Sequence, residues 1–179
     1  MRFCVLILFC NLAVAFAQTP SLPTNANNGN SVADQLVGAW RLVSIETYRA
    51  SGETIYPFYG KHPEGLLVYD RAGWMSVQIV SDPKPILPTA STRESFLAAS
   101  PAEKVTAING YYAYFGTWTV DASASTVTHH IIQSLYPGER GEDGVRQFLL
   151  EGDRLTLRAK THEMGEDHQR KLVWERVHP

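Results

Sequence analysis

The sequence predicts an all-β protein, a single antiparallel β-barrel of about eight strands with a short N-terminal helical turn and a helical excursion around residues 91–109. Two observations support this class. Segments of alternating apolar and polar residues follow one another, most of them joined by short turns. The first segment opens on Gly38-Ala39-Trp40, where glycine permits a turn and an indole can fill the narrow end of a barrel. The tripeptide alone is equally compatible with a buried tryptophan on a β-strand of any fold. The succession of predicted strands is what favours the barrel.

The first 17 residues are expected to form a signal peptide. Arg2 precedes a mostly apolar run that is shorter than the roughly 20 residues of a membrane-spanning helix. A membrane anchor is therefore the weaker alternative. Ala15-Phe16-Ala17 fits a cleavage site after Ala17, which predicts a secreted protein or one within the secretory pathway. Both cysteines lie in this segment, so the mature chain has no thiol for a disulfide or a metal.

A polar segment and one folded domain follow the signal peptide. Residues 18–30 are rich in proline, asparagine, serine and glycine, which predicts a disordered leader. Residues 31–179 contain no linker or internal repeat, so they are predicted to form a single barrel domain.

The predicted strands share an alternating pattern bounded by turn residues. They cover residues 36–49, 65–69, 74–80, 111–120, 126–134, 145–150, 154–159 and 170–177. Gly73 takes a turn position between the second and third strands, which predicts a hairpin. Short turns at 121–125 and 151–153 predict two more hairpins. A closed ring of about eight strands can hold one small ligand.

One helical excursion interrupts the strands. Ser100-Pro101-Ala102-Glu103 forms a predicted capping box with proline at the first helical position, and Gly110 ends that helix. Residues 91–99 can form a second short helix. The prolines at 82–88 exclude a central strand because proline lacks the ladder donor. Residues 81–110 therefore form either a lid over the barrel mouth or a surface crossover.

Several motifs resemble those of the lipocalin-like domain family of bacteria and fungi. They are Leu36–Ser44, Gly73–Gln78, Tyr112–Trp118, Thr126–His130, Arg154–Leu157 and Leu172–Arg176. The resemblance implies a lipocalin-like barrel that holds a hydrophobic or amphipathic small molecule. Some members encoded beside fungal biosynthetic enzymes resemble cofactor-free cyclases or isomerases. The resemblance also implies that Arg176 packs across Trp40 in a structural cation–π contact.

Aromatic residues on the strands are candidates for ligand contact. The predicted ligand-binding residues are Tyr69, Trp74, Gln78, Tyr112 and Trp118. Strand alternation places Tyr112 and Trp118 on one face. A lining of rings and hydroxyls suits a flat ligand, although ordinary core packing is the alternative for each aromatic residue.

Three polar residues are candidates for catalysis: His129, Tyr114 and Arg146. Because His129 and His130 are adjacent, only one can face the interior, and alternation favours His129. An inward histidine can act as a general acid or base, or can polarise a carbonyl group. A hydrogen-bonded structural histidine is the alternative.

A further interior ion pair is a hypothesis. Glu46 shares a strand face with Trp40, so an inward Trp40 predicts an inward carboxylate, for which Arg146 is a candidate partner. Both residues can instead lie near the rims, in water.

Other chemistries find little support in the sequence. No Gly-x-Ser-x-Gly elbow, phosphate-binding glycine loop or dinucleotide fingerprint occurs, so no cofactor is expected. His162 and Glu163 with His168 lack zinc spacing and are predicted to lie in a solvated loop, so no metal is expected. The net charge of −2 is small and interspersed, which argues against a nucleic-acid partner.

The predicted function is cofactor-free cyclisation or isomerisation of a hydrophobic small-molecule intermediate in secondary-metabolite biosynthesis. Confinement in an aromatic-lined barrel would favour the reactive conformer. The alternative is a non-catalytic carrier, which needs only the pocket. The enzyme also needs a polar group inside the pocket. Neither function is expected to involve stable insertion into a membrane.

Overall fold

The computed structural model describes residues 31–56 and 59–178, which form one barrel with short helices. The predicted signal peptide (1–17) and leader (18–30) lie outside the described residues. The strands are β1 (Gly38–Arg49), β2 (Thr54–Ile55), β3 (Glu64–Tyr69), β4 (Trp74–Val80), β5 (Tyr111–Asp121), β6 (Thr126–Ser134), β7 (Asp143–Glu151), β8 (Arg154–Glu163) and β9 (Glu166–Arg176). The helices are α1 (Val32–Leu36), α2 (Arg93–Ala98) and α3 (Pro101–Asn109), with a 3-10 turn at Pro137–Glu139.

Eight antiparallel strands close into a ring. β1 pairs with β3, each strand from β3 to β8 pairs with the next, and β9 pairs with β1 to close the ring. The closing pair runs from Trp40 opposite Arg176 to Arg49 opposite His168. The short strand β2 adds only to the far end of β1 and was not predicted. The structure thus confirms the predicted lipocalin-like all-β barrel, with one extra strand.

The closed end of the barrel is built around Trp40. Its indole is fully buried, and Nε1 donates to the carbonyl oxygen of Leu36 at 2.9 Å. The Arg176 guanidinium carbon lies 4.1 Å from the ring centroid of Trp40, which confirms the predicted stacking. Gly38 has a φ of 138°, and a Cβ there would lie 3.0 Å from Arg176 Nη1. Glycine therefore allows both the turn and the close approach of the arginine.

Glu46 does not face the interior, which corrects the sequence prediction. A β-bulge between Leu42 and Ser44 shifts the alternation of β1 by one residue. Glu46 consequently lies on the outer face, where Tyr48 donates to it and Lys171 Nζ lies 3.1 Å away. These two partners lower the pKa of Glu46, and the shared hydrogen bond raises the pKa of Tyr48 to about 12.

The β8–β9 hairpin is longer than predicted. β8 continues to Glu163 and β9 begins at Glu166, around a tight turn in which Met164 and Gly165 both have positive φ. His162 is exposed, but His168 faces the interior and is 3 % exposed, so the predicted solvated loop is wrong for His168. Alternation along β9 places Arg170, Leu172 and Trp174 on the inner face with it.

The excursion between β4 and β5 contains both predicted helices. Capping boxes at Thr92 and Ser100 start α2 and α3, and Gly110 caps the second helix. Neither helix contains a buried residue. No helix of the described residues has both the length and the apolar composition to cross a membrane.

Candidate functional site

The barrel interior encloses a cavity of about 180 Å³. Much of its wall is apolar, formed by Leu67, Val77, Ile79, Ile131, Leu157, Ala159 and Leu172. Polar side chains converge on the same space, among them Tyr114, His129 and Arg146. No residue of the excursion at 81–110 lines this cavity, so this arrangement favours the surface crossover over the lid.

The structure brings the three predicted catalytic residues together. Tyr114 lies on β5, His129 on β6 and Arg146 on β7, three neighbouring strands whose inner faces border the cavity. His129 is 1 % exposed, as predicted, whereas His130 is on the outer face. Local alternation orients each side chain inward. In the strand register His129 lies opposite Trp118 and Gly144, so the three side chains meet diagonally across the strands.

The predicted ligand-binding residues separate into three groups. Tyr112 borders the cavity. Tyr69 and Trp118 also face inward, but they pack together with ring centroids 4.6 Å apart and do not border the cavity. Trp74 and Gln78 lie on the outer face of β4, because Met75, Val77 and Ile79 occupy its inner face. The prediction that Trp74 and Gln78 line the interior is therefore wrong, and the Trp74 side chain is 52 % exposed.

A hydrogen-bond network connects the predicted catalytic residues. Tyr69 Oη lies 2.5 Å from His129 Nε2, and Tyr114 Oη lies 2.8 Å from His129 Nδ1. Arg146 Nη2 donates to Tyr114 Oη at 3.1 Å, and Arg146 Nη1 donates to the Gly144 carbonyl oxygen at 2.6 Å. Both imidazole nitrogens are thus occupied by tyrosine hydroxyls, which leaves neither nitrogen available to a ligand in this arrangement.

Gly144 makes room for the Arg146 guanidinium. Both residues face inward on β7, and the arginine side chain folds back over the glycine. A Cβ at Gly144 would lie 2.3 Å from Arg146 Nη1, closer than carbon and nitrogen atoms can approach. Glycine at this position therefore allows the arginine to reach Tyr114.

Burial sets the protonation states of the network. It lowers the pKa of His129 well below the usual range, and the nearby Arg146 charge lowers it further. Burial also raises the pKa of Tyr69 and of Tyr114. The imidazole and both phenols are consequently neutral near pH 7, and Arg146 carries the charge. Among the described residues, no carboxylate forms an ion pair with Arg146.

The hydrogen-bond directions leave one hydroxyl proton for the cavity. Among the described residues, His129 Nε2 is the only partner of the Tyr69 hydroxyl, and a buried O–H without an acceptor is costly, so we assign Tyr69 as the donor. His129 then carries its proton on Nδ1 and donates to Tyr114. Tyr114 accepts from His129 and Arg146, and its own O–H remains free to donate into the cavity that it borders.

Four carboxylate residues that border the cavity were not predicted from the sequence: Glu139, Glu142, Asp143 and Glu163. Glu139 accepts from Ser134 at 2.5 Å and from Tyr112 at 3.0 Å. Glu163 accepts from Arg170 Nη2 at 2.6 Å, and Arg170 lies 5.1 Å from the ring centroid of Tyr59. Extending alternation along β8 past residue 159 would have predicted Glu163 inward. Among the described residues, no cluster suited to metal binding occurs.

Acidification is expected to destabilise the barrel through His129. Below about pH 6.5 the unfolded chain protonates this histidine, but the folded chain does not, because burial lowers its pKa. The free energy of unfolding should therefore fall by up to about 1.4 kcal/mol per pH unit from this group between pH 6.5 and 5. Urea unfolding across that range measures the slope. His129→Gln should reduce the slope, the exposed His162→Gln should retain it, and equal slopes in all three proteins would contradict the prediction.

Comparison with known proteins identifies one family. A family model described as a lipocalin-like domain matches residues 37–177, nearly the whole described barrel. No curated protein matches the chain.

Proposed function

The chain belongs to the lipocalin-like domain family, and from this membership we propose that it is a cofactor-free isomerase or cyclase. A barrel of this family indicates binding of a small hydrophobic molecule. The proposed substrate is an oxygenated hydrophobic intermediate of secondary metabolism that rearranges or closes a ring inside the barrel. We also propose that residues 1–17 direct the chain into the secretory pathway, with cleavage after Ala17.

The observation that carries this proposal is the Tyr114 hydroxyl at the cavity wall. It accepts from the Arg146 guanidinium and, with the tautomer assigned above, from His129, so that its own proton can be donated to a substrate oxygen. Donation from a hydroxyl that is itself polarised by a cation is strengthened in a poorly solvated interior. Pre-oriented donors of this kind stabilise negative charge that develops on oxygen in a transition state. A carrier of an oxygenated ligand can use the same donor for binding, so turnover is the property that distinguishes the enzyme.

The mechanism requires no net proton transfer from the protein. The raised pKa of Tyr114 and the lowered pKa of His129 both disfavour ionisation. The Tyr114 hydroxyl would therefore donate a hydrogen bond to a carbonyl oxygen while bonds rearrange within the substrate. The product is an isomer of the substrate, so no atom is gained or lost. The surrounding apolar wall would hold the reactive conformer, and such positioning can contribute about 7–11 kcal/mol in favourable cases.

The size of the cavity limits the substrate. An apolar cavity of about 150 Å³ holds benzene, whereas pockets for drug-sized ligands start near 300 Å³. The volume of about 180 Å³ therefore fits a compact molecule of one or two rings.

Turnover separates this proposal from the carrier alternative. The purified protein is incubated with a panel of compact, unsaturated cyclic and open-chain ketones, and the products are analysed by chromatography and mass spectrometry. We expect isomers of unchanged mass in molar excess over the protein. Compounds that bind but are recovered unchanged would support the carrier instead. Heat-unfolded protein gives the uncatalysed background.

A further inference from the structure

Trp174 carries a buried hydrogen-bond donor at the wall of the cavity. Its side chain lies on the inner face of β9, borders the cavity and is 1 % exposed. The indole Nε1 is buried and has no hydrogen-bond partner among the described residues. A buried N–H without a partner is costly, so an acceptor is expected for it.

The other two buried indoles show how this fold ordinarily satisfies the group. Trp40 Nε1 donates to the Leu36 carbonyl at 2.9 Å, and Trp118 Nε1 donates to the Asp70 carbonyl at 3.0 Å. Trp174 differs from both in that its ring borders the cavity. The Thr161 hydroxyl is likewise buried, borders the cavity and has no partner among the described residues. Among the described residues, three contain buried polar side-chain atoms without a hydrogen-bond partner, and two of them, Trp174 and Thr161, border the cavity, whereas His168 does not.

Strand order places this donor across the barrel from Tyr114. In the closed ring, β5 and β9 are separated by three strands in either direction. Tyr114 on β5 and Trp174 on β9 consequently lie on opposite walls, and both border the same cavity. The wall of this cavity includes apolar side chains such as Val77 and Leu157.

We infer that the ligand is a compact molecule with two oxygen acceptors at opposite ends, one accepting from Tyr114 Oη and the other from Trp174 Nε1. The chemical class is a diketone, a quinone-like ring or a keto-lactone of one or two rings. This inference rests on the proposed function, in which the oxygen at Tyr114 is the reacting carbonyl. The oxygen at Trp174 anchors the other end. A pure hydrocarbon would leave both donors unpaired.

A matched series of one-ring probes tests the inference. The probes are p-xylene with no acceptor, 4-methylacetophenone with one, and 1,4-diacetylbenzene with two opposed carbonyls. Affinities are measured by titration calorimetry for the wild type, Trp174→Phe and Tyr114→Phe. We expect 1,4-diacetylbenzene to lose about tenfold in affinity in each variant, as loss of one hydrogen bond predicts. The affinity for p-xylene should be unchanged, and Trp74→Phe, which removes an exposed outer indole, should leave all three affinities unchanged.

A second measurement needs no variant that perturbs the interior. The chain has four tryptophans, so indole ¹⁵N labelling gives four N–H resonances. The Trp174 resonance should shift downfield with 1,4-diacetylbenzene and much less with p-xylene. The resonances of Trp40 and Trp118 serve as internal controls because each is already bonded to a carbonyl.

The outcomes separate the two proposals. If p-xylene binds but the added carbonyls change neither the affinity nor the Trp174 resonance, the two-acceptor inference is wrong and the proposed ligand cavity remains. If no probe binds the wild type, both proposals are overturned.

Discussion

Replacing Tyr114 by phenylalanine is expected to reduce kcat about 100- to 1,000-fold on the substrate found in the turnover screen, the usual effect of removing one oxyanion donor. The phenyl ring retains the packing of the buried side chain and loses only the hydroxyl that Arg146 and His129 polarise. KM should change much less than kcat because the apolar wall still binds the substrate. Steady-state kinetics that determine kcat and KM separately for the wild type and Tyr114→Phe test this prediction.

Two further variants define the cause of that loss. Tyr48→Phe removes a hydroxyl from the outer face, where it donates to Glu46, and should leave kcat unchanged. Gly144→Ala retains Tyr114 but adds a Cβ 2.3 Å from Arg146 Nη1, so the guanidinium must move. We expect it to reduce kcat while the hydroxyl remains. A Tyr114→Phe protein that is folded by circular dichroism and has wild-type kcat would exclude the proposed mechanism.

Truncating Trp40 to alanine is expected to destabilise the barrel by about 3–5 kcal/mol, the range for a buried large aromatic residue. The side chain is 0 % exposed, fills the closed end and stacks under the Arg176 guanidinium. Its loss also removes the hydrogen bond that attaches β1 to the end of α1. The melting temperature should fall by about 6–20 °C for a domain of this size.

The same substitution at another tryptophan supplies the control. Trp74 lies on the outer face with 52 % of its surface exposed, so Trp74→Ala should change the free energy of unfolding by about 0.5 kcal/mol or less. Urea unfolding of the two variants beside the wild type compares them directly. Equal destabilisation by the two substitutions would contradict the assignment of Trp40 to the core and Trp74 to the surface.

Sequence reasoning succeeded where a prediction depended on neighbouring residues. The capping box at Ser100, the hairpin turn at Gly73 and the inward orientation of His129 all follow from local spacing. It was wrong where the inward–outward alternation of a strand had to be extended past a β-bulge. The bulge after Leu42 turned Glu46 outward.

On β4, the prediction that Trp74 and Gln78 face the interior was wrong. Both faces of this strand contain large side chains: Trp74 lies on the outer face, and Met75 and Val77 lie on the inner face. The presence of an aromatic ring therefore does not identify the inner face. Burial by the neighbouring strands makes that distinction.

By itself the sequence determined the class of fold, because alternation, turn residues and caps act over a few positions and each restricts the backbone directly. Only the tertiary structure decided which polar groups meet. Tyr69 and His129 are 60 residues apart, and Tyr114 and Arg146 are 32 apart. Their hydrogen bonds depend on the register of several strand pairs and on closure of the ring, and no local pattern encodes either. Likewise, only the tertiary structure shows that the Trp174 indole N–H is buried without a partner among the described residues, on the wall opposite Tyr114.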